Sequence, residues 1–141
     1  PHVMAENYRY AKEKNVLTHH GANHPSLGDF SKMWISAKLQ WDVDQDVDAL
    51  LQDWYEAAVG PEAAPDLAAY EAIWENFWTN RIKDTNWFAL TKNATYMNLN
   101  DNAYLSIVTD EEIQQSRQLL ESVESRDTGT TGTCGTTIAA I

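Results

Sequence analysis

WISAKLQWDVDQDVDALLQDWYEAAVG, residues 34–60, is the stretch that decides how the rest of the chain is interpreted. Apolar residues recur at steps of three and four on both sides of the acidic run WDVDQD, as they do in two amphipathic helices. The residues with this spacing are Phe30, Met33, Trp34, Ala37 and Trp41 in the first helix, and Val47, Leu50, Leu51, Trp54, Tyr55 and Ala58 in the second. The spacing predicts a helical pair with an aromatic inner face.

The ends of the second helix carry their own signals. Asp44 or Asp46 can accept hydrogen bonds from the free N–H groups at its start, and Asp48 suits the positive end of the helix dipole. Gly60 tolerates left-handed backbone geometry, and the Pro61 that follows it cannot continue a helix. A calcium loop of the EF-hand type would need Gly and Glu at positions that Val47 and Asp53 occupy, so capping is the better interpretation of these carboxylates.

Toward the N-terminus, the order of elements is typical of an α/β unit. Residues 3–14 predict the end of a helix, and Asn15 suits the left-handed position after it. Val16-Leu17-Thr18 is an apolar run that predicts one short strand, and a loop follows it before the helix that starts near Asp29. This strand would pair with strands outside the chain, or else act as an extended connector.

Toward the C-terminus, the pattern is again helical. A third helix is predicted from Glu62 or Asp66 to Lys83, and one or two helical turns around Asn86–Thr91. Thr109 and Glu112 form a capping box that begins a last helix, which runs through Ser125. The chain thus divides into a mainly helical segment, residues 1–125, and a Thr/Gly-rich segment, residues 126–141, interpreted as a disordered tail, a linker or a spurious end of the reading frame.

Three histidines are the only cluster that suggests chemistry. His19, His20 and His24 follow the strand-like run, where α/β enzymes place their ligand-contacting loops. In a loop their spacing fixes no geometry, and no carboxylate pattern completes a metal site. We therefore predict neither a metal nor a cofactor, and we hypothesise a substrate-contacting loop, with an ordinary structural loop as the alternative.

The aromatic residues raise the question of sugar stacking. The chain has six Trp and six Tyr, and flat rings suit the apolar faces of sugars. Five of the six tryptophans (Trp34, Trp41, Trp54, Trp74 and Trp78) have helical spacing and are predicted to belong to the core. Trp87 lies outside a clear stripe and is the candidate for an exposed ring.

Charge and composition exclude several classes of protein. Ten basic residues against 21 acidic ones give a net charge of −11, which disfavours nucleic acid and anionic membrane surfaces as partners. One cysteine, Cys134, excludes an internal disulfide. Because the chain opens at Pro1 directly in helix-like sequence, we interpret it as a piece of a longer protein.

Four segments resemble a known family: Tyr10–Asn15, Val16–Gly21, Ala37–Tyr55 and Gly60–Tyr70. Their runs are YAKEKN, VLTHHG, AKLQWDVDQDVDALLQDWY and GPEAAPDLAAY. They resemble the C-terminal part of a bacterial glycoside-hydrolase-like domain-of-unknown-function family, which is related to α-glucuronidases and β-N-acetylhexosaminidases. Weaker similarity extends the match to about residue 125.

The resemblance implies a mainly α segment that carries the last β/α unit or units of a truncated (β/α) barrel. His19 and His20 would lie at or near the mouth of the barrel and contact sugar, with no catalytic residue in this chain. The implied partners are a carbohydrate and the N-terminal part of the same protein, in a secreted or periplasmic location. The alternative is a helical interaction module without enzymatic function.

Overall fold

Helices provide the regular structure of this protein. The computed structural model describes residues 1–18, 30–93 and 101–126, and within these ranges it contains no β-strand. The α-helices are α1 (His2–Glu13), α2 (Phe30–Trp41), α3 (Val47–Val59), α4 (Ala64–Asn76), α5 (Asn86–Thr91) and α6 (Asp110–Arg126). A π-helical segment, Phe77–Arg81, and a 3-10 turn, Ile82–Asp84, connect α4 to α5, and a 3-10 segment, Asn102–Ile107, precedes α6. The prediction of a mainly α chain is confirmed.

The helix ends follow the predicted local chemistry. Asp46 caps α3, because its Oδ1 accepts hydrogen bonds from the backbone N–H groups of Asp48 at 2.9 Å and of Ala49 at 3.2 Å. Gly60 ends α3 with a φ of 82°, and Asn15 follows α1 with a φ of 55°. Both residues thus have a positive φ, as predicted for the ends of these helices, although the ψ of Gly60, 159°, is extended.

The capping box of α6 is also confirmed. The backbone N–H of Glu112 donates to Thr109 Oγ1 at 3.2 Å, and the Thr109 N–H donates to Glu112 Oε2 at 2.9 Å. Arg81 donates to the same carboxylate and to the Ile107 carbonyl oxygen, so the start of α6 is tied to the π-helical segment. Residues 127–141 lie outside the described ranges, and the tail remains a prediction.

The predicted short strand does not form within the described residues. Val16, Leu17 and Thr18 have no regular secondary structure, and Leu17 is 94% exposed. A strand needs a neighbouring strand for its backbone N–H and C=O groups, and the ranges that the structure describes supply none. Pairing with a strand outside the chain, or an extended connector, stays a prediction for these residues.

Within the described residues, the core consists of three clusters of buried residues. The first joins α1, α2 and α3 through Ala5, Tyr8, Ile35, Leu39, Val47 and Leu50. The second joins α3, α4 and α6 through Tyr55, Val59, Ala63, Ala64, Leu67 and Val123. The third lies around Phe77, Ile82 and Trp87, after the end of α4. Because Leu51 packs against both the first and the second cluster, these two form a continuous apolar interior.

The inner face of α2 differs from the prediction. Ser31, Ile35 and Leu39 are buried, whereas Trp34 is 38% and Trp41 is 91% exposed. The buried residues follow one another at steps of four, so they line one face of the helix. Since α2 is apolar on two sides, the sequence period could not decide which side faces the core.

The tryptophan assignments are corrected in the same way. Trp87, the predicted exposed ring, is only 2% exposed and belongs to the third cluster. Trp78, predicted to belong to the core, is 42% exposed. Trp54 and Trp74 are partly buried against the second and third clusters, respectively, in agreement with a core role.

Candidate functional site

The predicted substrate-contacting residues lie in the segment that leads into α2. His19, His20 and His24 fall in residues 19–29, outside the described ranges, so their role remains a prediction. The chain on both sides of this segment is described. Val16 and Leu17, which are exposed, precede the segment, and α2 follows it. The candidate site is therefore described by the exposure and charge of these two flanking parts.

Trp34, Ala37 and Trp41 form an exposed surface, which we call the α2 aromatic face. All three side chains are exposed, and their spacing of three and four residues places them on one side of the helix. The two tryptophans are seven positions apart, which corresponds to about 10 Å along the helix axis. Exposed apolar side chains on one side of a helix are a common feature of surfaces that bind a partner.

The charge of this face differs from that of the chain as a whole. α2 contains no acidic residue, although the chain has a net charge of −11, and its Lys38 lies beside Trp34. The ammonium group of Lys38 lies 4.2 Å from the centre of the Trp34 ring, a cation–π contact. The α2 aromatic face is therefore an apolar surface with a basic edge.

Polar contacts hold the opposite side of α2 in place. Tyr8 on α1 and Ser36 share a hydrogen bond of 2.8 Å, and the Gln40 amide donates to Tyr8 Oη at 3.2 Å and to Ser36 Oγ at 3.0 Å. At the start of α2, Ser31 Oγ donates to Glu71 Oε2 on α4 at 2.9 Å. These contacts fix the rotation of α2, so that its aromatic face points away from the core.

Glu71 is the centre of a polar cluster between three helices. Its Oε2 also accepts a hydrogen bond from the Tyr55 hydroxyl on α3 at 3.2 Å. Ser31 is 1% and Tyr55 is 7% exposed, so both donors belong to the interior. We call Ser31, Tyr55 and Glu71 the Glu71 cluster.

Burial dominates the acid–base properties of this cluster. Burial raises the pKa of the Glu71 carboxyl. Three groups oppose this shift, namely the hydroxyls of Ser31 and Tyr55 and the charge of Lys32, whereas the charge of Glu75 adds to it. Burial and the Glu71 carboxylate together raise the pKa of Tyr55. A carboxyl with a raised pKa is a property of general acids in enzymes. Here, however, both hydrogen-bond donors are interior groups, and we assign the cluster no catalytic role.

A charged cleft between α1 and the start of α3 was a further candidate. It has a volume of about 340 Å³ and is lined by residues that include Arg9 and Asp46. Two of its carboxylates already have side-chain partners on α1, since Asp44 accepts from Lys12 Nζ at 2.7 Å and Asp48 lies 3.0 Å from His2 Nε2. Lys12 lowers the pKa of Asp44 through this hydrogen bond. These pairs connect α1 to the acidic corner, which is a structural role.

Within residues 1–18, 30–93 and 101–126, no three His, Cys, Asp or Glu residues are grouped so that they could hold a metal ion. In the same ranges, no helix has the length and apolar character needed to cross a membrane.

Comparison with known proteins identifies the family of this chain but no characterised relative. Searches of the curated proteins and of the solved structures find no match. The family model of a domain of unknown function, DUF4838, matches residues 1–72, which include both Val16–Leu17 and the α2 aromatic face. The match covers half of the 141 residues, and the chain belongs to the DUF4838 family.

Proposed function

We propose that this chain is a helical, non-catalytic part of a carbohydrate-active, glycoside-hydrolase-like protein that acts outside the cytoplasm. In this proposal the catalytic carboxylates belong to a barrel elsewhere in the same protein. The α2 aromatic face packs against that barrel, and the segment with His19, His20 and His24 contacts the glycan. The helices therefore close the barrel and help to place one loop of its binding site.

The α2 aromatic face is the observation that supports this proposal most directly. Trp41 is 91% exposed although it lies on a helix that packs well on its other side. Val16 and Leu17, which precede the histidine segment, are also exposed, at 54% and 94%. A self-contained domain would be expected to bury such residues, whereas a part that docks onto another leaves them open until the two are joined.

Charge indicates the properties of the surface that covers this face. Lys38, which lies over the Trp34 ring, favours a partner with acidic groups at the edge of an apolar patch. Nucleic acid would supply negative charge but would be repelled by a chain with a net charge of −11. We infer that the covering surface is protein, and the resemblance of Val16–Gly21 to a barrel-family segment leads us to assign it to the same protein.

A helical interaction module without an enzymatic partner is the second candidate. It is favoured by the three core clusters, which are built from this chain's own helices. Such a module would use the same aromatic face to bind a separate protein. The two candidates differ in whether the longer gene product has glycosidase activity.

We expect no turnover of aryl glycosides of glucuronic acid or N-acetylhexosamine by the 141-residue chain, and turnover of at least one glycoside by the longer gene product that contains it. The reason is that the chain lacks an identifiable pair of catalytic carboxylates. Release of the aryl alcohol, followed by absorbance, measures both proteins.

Turnover by the 141-residue chain that His20→Ala abolishes would contradict the proposal, because the chemistry would then lie in this chain. If the longer product is inactive on a broad panel of glycosides but the chain binds a separate protein through α2, the second candidate is favoured.

A further inference from the structure

α1 has an exposed apolar stripe of its own. Val3 and Tyr10 are 59% and 61% exposed, and their spacing of seven residues places both on one side of the helix. Ala5 and Tyr8 are buried in the first core cluster, and each lies two positions from a residue of this stripe, on the opposite side of α1. We call Val3 and Tyr10 the α1 stripe.

The α1 stripe and the α2 aromatic face belong to two neighbouring helices of one layer. Tyr8 on α1 and Ser36 on α2 share a hydrogen bond of 2.8 Å. Both helices pack their buried residues toward α3, because Ala5 and Leu39 lie in the first core cluster together with Leu50 of α3. The exposed sides of α1 and α2 therefore point away from α3 and form the outer surface of the layer.

An ammonium group lies over one ring on each helix, with the same spacing in both cases. Lys14 Nζ lies 5.2 Å from the centre of the Tyr10 ring, and Lys38 Nζ lies 4.2 Å from the centre of the Trp34 ring. In both pairs the lysine follows the aromatic residue by four positions, one helical turn. The layer thus presents two aromatic rings, each beside a positive charge.

The charge of the chain is divided unevenly along its length. Five basic and three acidic residues give the part that contains α1 and α2, residues 1–41, a net charge of +2. Five basic and 18 acidic residues give residues 42–141 a net charge of −13. The layer of α1 and α2 is therefore the basic part of an acidic chain, and it favours an acidic surface as its partner.

The size of α2 indicates that a partner covers more than this helix. Its 12 residues make it about 18 Å long, and with a width of about 10 Å one side of it covers roughly 200 Å² in projection. A stable protein interface buries about 800 Å² on each partner. α1, which also has 12 residues and lies beside α2, is the neighbour that can add apolar surface.

We propose that the part of the protein that covers the α2 aromatic face also covers the α1 stripe, and that it presents carboxylates to Lys14 and Lys38. This inference rests on the proposed function, to which it adds the extent of the interface and the chemistry of the covering surface. That surface is apolar protein with acidic side chains at two positions, one facing each pair of ring and lysine.

Hydroxyl-radical footprinting of Tyr10 in the 141-residue chain and in the longer gene product tests the extent of the interface. We expect the modification rates of Tyr10 and Trp41 to be lower in the longer product by about fivefold or more, because a well-packed interface excludes water. Protection of Trp41 without protection of Tyr10 would overturn the extension to α1 and leave the docking of α2 in place. Protection of neither residue would overturn the proposed function as well.

Charge reversal in the longer product tests the acidic partner. Lys14→Glu combined with Lys38→Glu places carboxylates opposite carboxylates, so Tyr10 and Trp41 should regain most of the reactivity that they have in the 141-residue chain. The corresponding double Arg variant keeps both charges and should stay protected, and Lys92→Glu on an exposed residue at the end of α5 should follow the wild type. Wild-type protection in the double Glu variant, or loss of protection in the double Arg variant, would overturn the acidic partner.

Discussion

Leu39→Ala is expected to lower the free energy of unfolding by about 2–5 kcal/mol, whereas Trp41→Ala should change it by less than about 0.5 kcal/mol. Leu39 has no exposed surface and packs in the first core cluster between α1, α2 and α3. Trp41 is 91% exposed in the same helix, two residues further along. The removal of a buried side chain loses its transfer free energy and leaves a cavity, and neither cost applies to an exposed indole.

Urea denaturation of the two variants, followed by circular dichroism, measures both changes in free energy. The two residues share one helix and differ in which face they occupy, so each variant is the control for the other. A larger loss for Trp41→Ala than for Leu39→Ala would mean that the tryptophan side of α2 faces the core. In that case the α2 aromatic face would not be a free surface.

Phe77→Ala is expected to cost about 3–5 kcal/mol, the range for a buried aromatic residue. Phe77 is 1% exposed and anchors the third core cluster. Its ring makes edge-to-face contacts with Trp74 and Trp78 at centroid distances of 5.9 and 5.5 Å, and such pairs add about 0.5–1.5 kcal/mol to the burial energy. The loss of this ring therefore removes both apolar burial and the aromatic contacts around it.

Thermal and urea unfolding of Phe77→Ala should both move to milder conditions. Leu90→Ala on α5 is the matched control, because Leu90 is 84% exposed and its replacement should change the free energy of unfolding by less than about 0.5 kcal/mol. A cost below about 1 kcal/mol for Phe77→Ala would show that the third cluster does not pack as a core.

The features that could be predicted from the sequence are those with local causes. Asp46 and the pair Thr109 and Glu112 bond to backbone groups two or three residues away, so a short stretch of sequence contains both partners. The inner face of α3 could be predicted because its apolar residues form one stripe. Val47, Leu50 and Tyr55 of that stripe are indeed buried.

The features that were predicted wrongly depend on distant parts of the chain. α2 is apolar on two sides, and only its contacts with α1 and α3 show that the side with Ile35 and Leu39 is the inner one. After α4, the π-helical turn Phe77–Arg81 inserts an additional residue and changes the rotation of the residues that follow. A pattern with a constant period of 3.6 residues could not place Trp87 in the core across this change.

The position of Glu71 in the sequence carries a signal for the Glu71 cluster. Glu71 follows the buried residue Leu67 by four positions, so it lies on the inward side of α4. An acidic residue at such a position requires a polar partner. The partner Ser31, however, lies 40 residues away, and no local pattern in the sequence connects the two.

Hydroxyl-radical footprinting of Trp41 tests most directly whether another part of the same protein covers the α2 aromatic face. We expect rapid modification of Trp41 in the 141-residue chain and strong protection in the longer gene product. Leu90, which is 84% exposed and lies outside the family match, should react equally in both proteins and serves as the internal control. Equal modification of Trp41 in the two proteins would contradict the claim.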